Sequence, residues 1–100
     1  MTDPQEPDAP LKIPIDDTLD LHAFAPRDIP SVVEEYVVAA HQAGLREIRL
    51  IHGRGRGIQR GIVQKTLENH PLVHEFWDAP ESHLGATVAR LHEEPPGAET

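Results

Sequence analysis

Between Asp17 and Ala25 ("DTLDLHAFA") the apolar residues Leu19, Leu21 and Ala23 alternate with Asp20, His22 and Phe24. A period of two over that length predicts a strand. "PRDIP" interrupts it, with Asp28 or Ser31 available as a helix cap and Pro30 suited to a first turn. From Ser31 to Ala43 the period changes. Val32, Val33, Tyr36, Val37 and Ala40 recur at helical spacing, and Gly44 stands where a glycine commonly ends a helix. "REIRLIHG" predicts a second strand carried by Ile48, Leu50 and Ile51. After a glycine-rich turn, Ile58, Ile62, Val63, Thr66 and Leu67 form the apolar stripe of a second helix, which Pro71 stops. "LVHEFWDAP" and "GATVARLH" read as two closing strands joined by the loop "APESHLG".

The resulting order, βαβαββ, fixes much of the architecture. Strand, helix and strand in succession call for a parallel pair joined by a right-handed crossover. Two helices cover one face of a sheet, so a two-layer α/β sandwich is expected rather than a doubly wound sheet. The carboxyl ends of parallel strands share one edge, where ligands tend to bind. "DLHAF" leaves the first strand at that edge and "HGRGRG" leaves the second, so two polar motifs distant in sequence should meet there.

One hundred residues support a single domain. Residues 1–14 ("MTDPQEPDAPLKIP") and 93–100 ("EEPPGAET") are proline-rich and acidic, with too little apolar surface to offset the entropy of ordering. They are expected to be disordered tails around a folded domain over 15–92. The chain has no cysteine, which excludes a disulfide framework and a Cys-based zinc site. No apolar run reaches the ~20 residues of a membrane span, and no signal-peptide profile opens the chain. A cytoplasmic protein away from the membrane is the expectation.

Charge changes the picture most. The formal net charge is −8, yet six of the nine Lys/Arg residues fall between Arg46 and Lys65, where Glu47 is the single acid. Their centre is the turn Gly53-Arg54-Gly55-Arg56-Gly57, which runs into a helix start, with Arg60 one helical turn further on. Glycines let backbone N–H groups approach a ligand, a helix N-terminus adds positive dipole, and arginine makes bidentate phosphate contacts. Neither a phosphate-loop nor a dinucleotide fingerprint is present. The competing reading is a solvated βα turn.

Asp20 and His22, two apart on a predicted strand, leave on the same face. A carboxylate beside an imidazole fixes its tautomer and raises its basicity, as a general acid–base histidine needs. The pair alone is equally readable as the polar face of a half-buried strand. The seven histidines are scattered, with no His-x-x-x-His pair on a helix face, so no metal site or cofactor is expected. A divalent ion has no support in the sequence. His52 stands apart because it precedes the glycine turn at the predicted ligand edge.

With these motifs placed, the chain resembles the Smr (small MutS-related) domain family from about Thr18 to Leu91. "LDLHA" (19–23) is similar to the family's Leu-Asp-Leu-His-Gly. "GRGRGIQRGIV" supplies Gly53, Arg54, Gly55, Gly61 and Val63 in register with its Gly-Arg-Gly turn and following helix. "SHLGATVARL" gives Gly85, Ala86 and Thr87 of its Gly-Gly-x-Gly-Ala-Thr turn. Three motifs in order and spacing make the likeness specific. Three departures stand against it: Ala23 replaces the glycine after the histidine, Gly57-Ile58 replaces a His-Ser pair, and Ser82 and His83 replace two glycines.

The resemblance implies the βαβαββ sandwich, similar to the C-terminal domain of translation initiation factor three, and nucleic-acid binding with endonuclease activity on DNA or RNA. It assigns cleavage to Asp20 and His22, and substrate binding to Gly53, Arg54 and Gly55, with Arg56 and Arg60 adding charge. His52, His83 and Gly85 are further site candidates, either histidine being able to fill the volume of the missing one. Two functions follow as expectations: an endonuclease cleaving or nicking phosphodiester bonds, or a non-catalytic module docking on nucleic acid or a ribonucleoprotein. A small phosphorylated ligand is a weaker third. So short a chain leaves target selection to a partner such as a ribosome or a repair complex, and its oligomeric state is unknown.

Overall fold

The computed structural model describes residues 15–55 and 57–93. The segments expected to be disordered, 1–14 and all but the first residue of 93–100, lie outside the described residues. In order, the elements are β1 (Thr18–Asp20), a 3-10 turn (Pro26–Asp28), α1 (Ile29–Gln42), β2 (Glu47–Ile51), α2 (Ile58–Glu68), β3 (Val73–Asp78), a second 3-10 turn (Pro80–Ser82) and β4 (Ala86–Leu91). The strands form one mixed sheet in the order β1-β2-β4-β3. β1 and β2 are parallel, with Leu19 opposite Leu50 and Asp20 opposite Ile51. β2–β4 and β3–β4 are antiparallel. The expected two-layer α/β sandwich is what the chain forms.

Alternation along the strands sorts the two faces. Ile48 and Leu50 of β2, with Ala89 and Leu91 of β4, join Ile29, Val33, Val37 and Ala40 of α1 and Val63 and Leu67 of α2 in one buried core. Burying each large aliphatic side chain contributes roughly 1.5–3 kcal/mol. The opposite face carries a smaller apolar cluster of Ala79, Ala86 and Val88, flanked by Ile51 and Trp77. Arg90 lies over the Trp77 ring, 5.6 Å from its centroid.

Helix boundaries follow local chemistry. Asp28 occupies the N-cap position of α1, but its side chain makes no capping bond; the 3-10 turn delivers the chain instead. The helix therefore starts at Ile29, earlier than its periodicity implied, and Ile29 is fully buried. At the other end Gly44 takes φ +88°. Its N–H donates to the His41 carbonyl and that of Leu45 to Ala40, both at 3.0 Å. That paired closure needs a residue tolerant of positive φ, and Gly44 supplies it.

Two expectations are corrected. The first strand is short, ending at Asp20, because the chain turns after Leu21 with the Phe24 N–H donating to the Leu21 carbonyl at 3.1 Å. His22 and Ala23 therefore sit in a turn rather than on a strand, and Ala23 is exposed. Ile58 is not part of the buried stripe of α2; it is 59 % exposed at the helix start. The loop before β4 contains the Pro80–Ser82 turn and then two non-glycine residues at positive φ, His83 and Leu84.

Candidate functional site

The sheet edge at the carboxyl ends of β1 and β2 carries the polar motifs. After β1 the turn brings the imidazole of His22 back onto Asp20. Nδ1 lies 2.6 Å from Asp20 Oδ1, and the same oxygen accepts the His22 backbone N–H at 2.9 Å. The backbone N–H, then the ring, hold the Asp20 carboxyl below its usual range. A carboxylate there accepts the hydrogen bond of Nδ1–H, which leaves Nε2 as the ring's free nitrogen. Both side chains are well exposed, about 64 % and 61 %. Nε2 meets the turn after β2 directly: a β-carbon added to Gly53 would stand 3.3 Å from it.

Gly53 follows β2 at φ +84° and is anchored from below. The N–H groups of His52 and Gly53 both donate to the Gly85 carbonyl, at 3.1 and 2.9 Å. The Arg54 stem in turn lies on Gly85, where an added β-carbon would meet Arg54 Cγ at 3.4 Å and the Ser82 carbonyl at 3.1 Å. Gly85 thus belongs to the site by allowing this close approach. Gly57 enters α2 at φ +83°, and no side chain caps the helix start. Gly57, Ile58 and Gln59 of this helix start line the same opening, which brings the positive dipole end of α2 to it.

Beneath the turn runs a polar chain, buried at His52 and Thr87 and half-buried beyond them. His52 is 2 % exposed, and both ring nitrogens are engaged: Nδ1 with the Gly53 carbonyl and Nε2 with Thr87 Oγ1, each at 2.9 Å. A carbonyl only accepts, so Nδ1 carries the proton and Nε2 accepts from the Thr87 hydroxyl. Thr87 Oγ1 accepts from Gln64 at 3.0 Å, and Gln64 also donates to Asp78 at 3.0 Å. Arg60 closes the chain with a two-pronged grip on Asp78, at 2.7 and 2.8 Å. Burial first of all pushes the His52 pKa down, and the Arg60 guanidinium holds the Asp78 carboxyl low. Thr87, Gln64 and Asp78 come from three elements, and only their identity as polar residues at inward positions could have flagged them.

Between these parts lies an open cleft of about 450 Å³, lined among others by His22, His52, Gly53, Arg54, Gly57 and Ile58. The arginine patch is less free than composition implied. Arg60 holds Asp78, and Arg49 meets Glu81 at 2.5 Å. Arg54 is exposed and, among the described residues, pairs with no carboxylate. Arg56 lies outside the described residues. His83 is exposed in the loop before β4 and does not line the cleft. No group of three or more His, Asp or Glu side chains that could hold a metal ion converges among the described residues. None of the described helices is long and apolar enough to cross a membrane.

Comparison with known proteins identifies the family and the fold. The Smr domain model matches residues 19–92. Over 81 residues the chain is 32 % identical to the Endonuclease MutS2 of Caldicellulosiruptor saccharolyticus, and over 80 residues 35 % identical to that of Caldanaerobacter subterraneus subsp. tengcongensis. These matches take in 79 % and 78 % of this chain but only 10 % of each relative, so the chain spans about a tenth of the length of the curated relatives it matches. Among solved structures, the Smr domain of Thermus thermophilus MutS2 superposes with a TM-score of 0.70 at 30 % identity, over 75 % of this chain and 96 % of that one. YdaL, a stand-alone small MutS-related protein from Escherichia coli, gives 0.70 at 26 % identity, over 76 % of this chain and 64 % of that one. With the family model covering residues 19–92 and solved Smr domains sharing its fold, the chain belongs to the Smr domain family.

Proposed function

We propose that this chain is a nucleic-acid-binding Smr-type endonuclease that holds a phosphodiester over the Gly53–Arg54 turn and cleaves it with His22. One observation carries the reading. The Asp20 carboxylate engages His22 Nδ1 and leaves Nε2 facing Gly53 in the cleft, where a general base would be needed. Relatives named Endonuclease MutS2 lend support.

On RNA, Nε2 would take the proton of a 2′-hydroxyl as its oxygen attacks the neighbouring phosphorus. The bond from phosphorus to the 5′-oxygen breaks, that oxygen takes a proton from water, and a 2′,3′-cyclic phosphate remains. On DNA, Nε2 would deprotonate a water as its oxygen attacks phosphorus; the bond from phosphorus to a bridging oxygen breaks, and that oxygen takes a proton from water. Asp20 holds the ring and stabilises the imidazolium that forms. Arg54 and the α2 N-terminus stand where charge accumulates on the phosphate oxygens.

A second reading has its own observation. His52 lines the cleft, but both of its nitrogens are committed, so among the described residues His22 alone offers a free imidazole nitrogen there. A site with one such group and, among the described residues, no second free imidazole fits a non-catalytic module that docks on nucleic acid or a ribonucleoprotein. Cleavage of end-labelled single-stranded RNA and supercoiled DNA, with EDTA and His22→Ala as controls, separates the two. Products that vanish with His22→Ala support the endonuclease. Bound but intact substrate supports the module, and cutting by His22→Ala at the parent rate overturns the assignment of His22.

A further inference from the structure

The Gly53–Arg54 turn has a second side. Across it from the His22 cleft, on the sheet face that neither helix covers, lies another opening of about 310 Å³. Its floor is apolar, made by Ile51 and Ala86, and its walls are Arg49, Arg54 and Glu81, with Gly85 at the end. Gly53 and Arg54 line both openings, so the two are continuous over one ridge.

The composition of this second opening is that of a nucleotide site. An apolar floor accepts the face of a base, and guanidinium groups on the walls accept phosphate or stack on a ring. Its volume lies at the lower end of small-ligand sites, enough for one nucleotide. Arg54 reaches it because Gly85 lets the arginine stem lie flat. Arg49 reaches it too, but is held by Glu81 at 2.5 Å. That pair is exposed and costs little to exchange for a phosphate.

We propose that this opening is a subsite for the nucleotide next to the phosphodiester held against His22, with its base on Ile51 and Ala86 and its phosphate shared by Arg54 and Arg49. The inference rests on the reading of the first cleft as a phosphodiester site. It adds a substrate class: a base can enter such a recess only when it is unstacked and unpaired, so the favoured ligand is single-stranded. Glu81 opposes binding by occupying Arg49, which sets opposite signs for two substitutions.

The test is amide NMR on the full ¹⁵N-labelled chain, titrated with uridine monophosphate, with 2′-O-methyl hexauridylate, which lacks the attacking hydroxyl, and with that hexamer paired to its complement. The single strand should shift Gly53 together with Ile51 and Ala86. The monophosphate, whose base is also unpaired, should shift all three more weakly, and the duplex should shift Gly53 and leave the other two unchanged. Arg49→Gln should weaken the hexamer roughly threefold to tenfold, and Glu81→Gln should tighten it by about threefold, with duplex affinity unchanged in both. Both positions are surface side chains, and the parent-like spectrum verifies the fold. If the hexamer shifts Gly53 while Ile51 and Ala86 stay silent, or if neither substitution changes its affinity, the subsite is overturned and the first cleft stands. If no ligand shifts Gly53, both fall together.

Discussion

Gly53→Ala and Gly44→Ala form a matched pair that isolates what Gly53 does for His22. The two glycines have nearly the same backbone, φ +84° and +88°. Placing an alanine in this region costs about 1–2 kcal/mol, and the stiffer unfolded chain returns about 0.4–1 kcal/mol. Each variant should therefore lose approximately 1 kcal/mol, or about 4–8 °C in Tm for a domain of this size. The surroundings differ. A β-carbon at Gly44 meets nothing within 4 Å, whereas at Gly53 it stands 3.3 Å from His22 Nε2. The imidazole is exposed and can swing away, so the extra cost in stability should be small, within ~0.5 kcal/mol. The cost to the site should not be small, because the ring leaves the position that Asp20 gave it. Urea unfolding measures the first quantity, and ¹⁵N shifts of the His22 ring with cleavage of labelled RNA measure the second. Equal destabilisation with a changed His22 ring in Gly53→Ala alone is the expected result. An unchanged His22 spectrum in Gly53→Ala, or an equal functional loss in Gly44→Ala, would refute the reasoning.

Other expectations follow from the buried chain and the strained loop. Replacing His52 by Ala removes a buried ring and strands the Thr87 hydroxyl, so urea unfolding should register a loss of about 2–4 kcal/mol. Because burial depresses the His52 pKa below 6.5, the unfolded chain binds the extra proton first as pH falls. Stability from this residue is complete above about pH 6.5 and declines below it, and urea titrations from pH 8 to 5 should show a shallower decline in His52→Asn. Asp78, held low by Arg60, contributes above its ordinary 3.8 and is lost in more acid solution, so Arg60→Ala should lower the urea midpoint and flatten that acid limb. Leu84 stands at φ 72° and is 51 % exposed; Leu84→Gly should raise stability by about 0.5 kcal/mol, and a loss exceeding 1 kcal/mol would contradict the strain. Leu50, fully buried between β2 and both helices, should cost about 2–5 kcal/mol as alanine in the same assay.

Much of the frame was legible along the chain. The period-two run of "REIRLI", the helical spacing from Val32 to Ala40 and the stop at Gly44 each record which side of an element is buried, and a local pattern carries that information directly. The meeting of Asp20-Leu21-His22 with Gly53-Arg54 was also legible, because parallel strands must end on the same edge. What the pattern could not carry was partnership between residues on different elements. Arg60 read as a cation of the binding patch, yet Asp78 neutralises it. His52 read as a cleft group and Thr87 as part of a turn motif, yet they face each other 2.9 Å apart under the glycine turn. Ile58 fitted a stripe that the helix, once docked, points into the cleft. Periodicity fixes a residue's direction relative to its own axis. Who stands opposite depends on the antiparallel register of β4 against β2 and β3 and on how α2 lies across them, and only the packed sheet sets those.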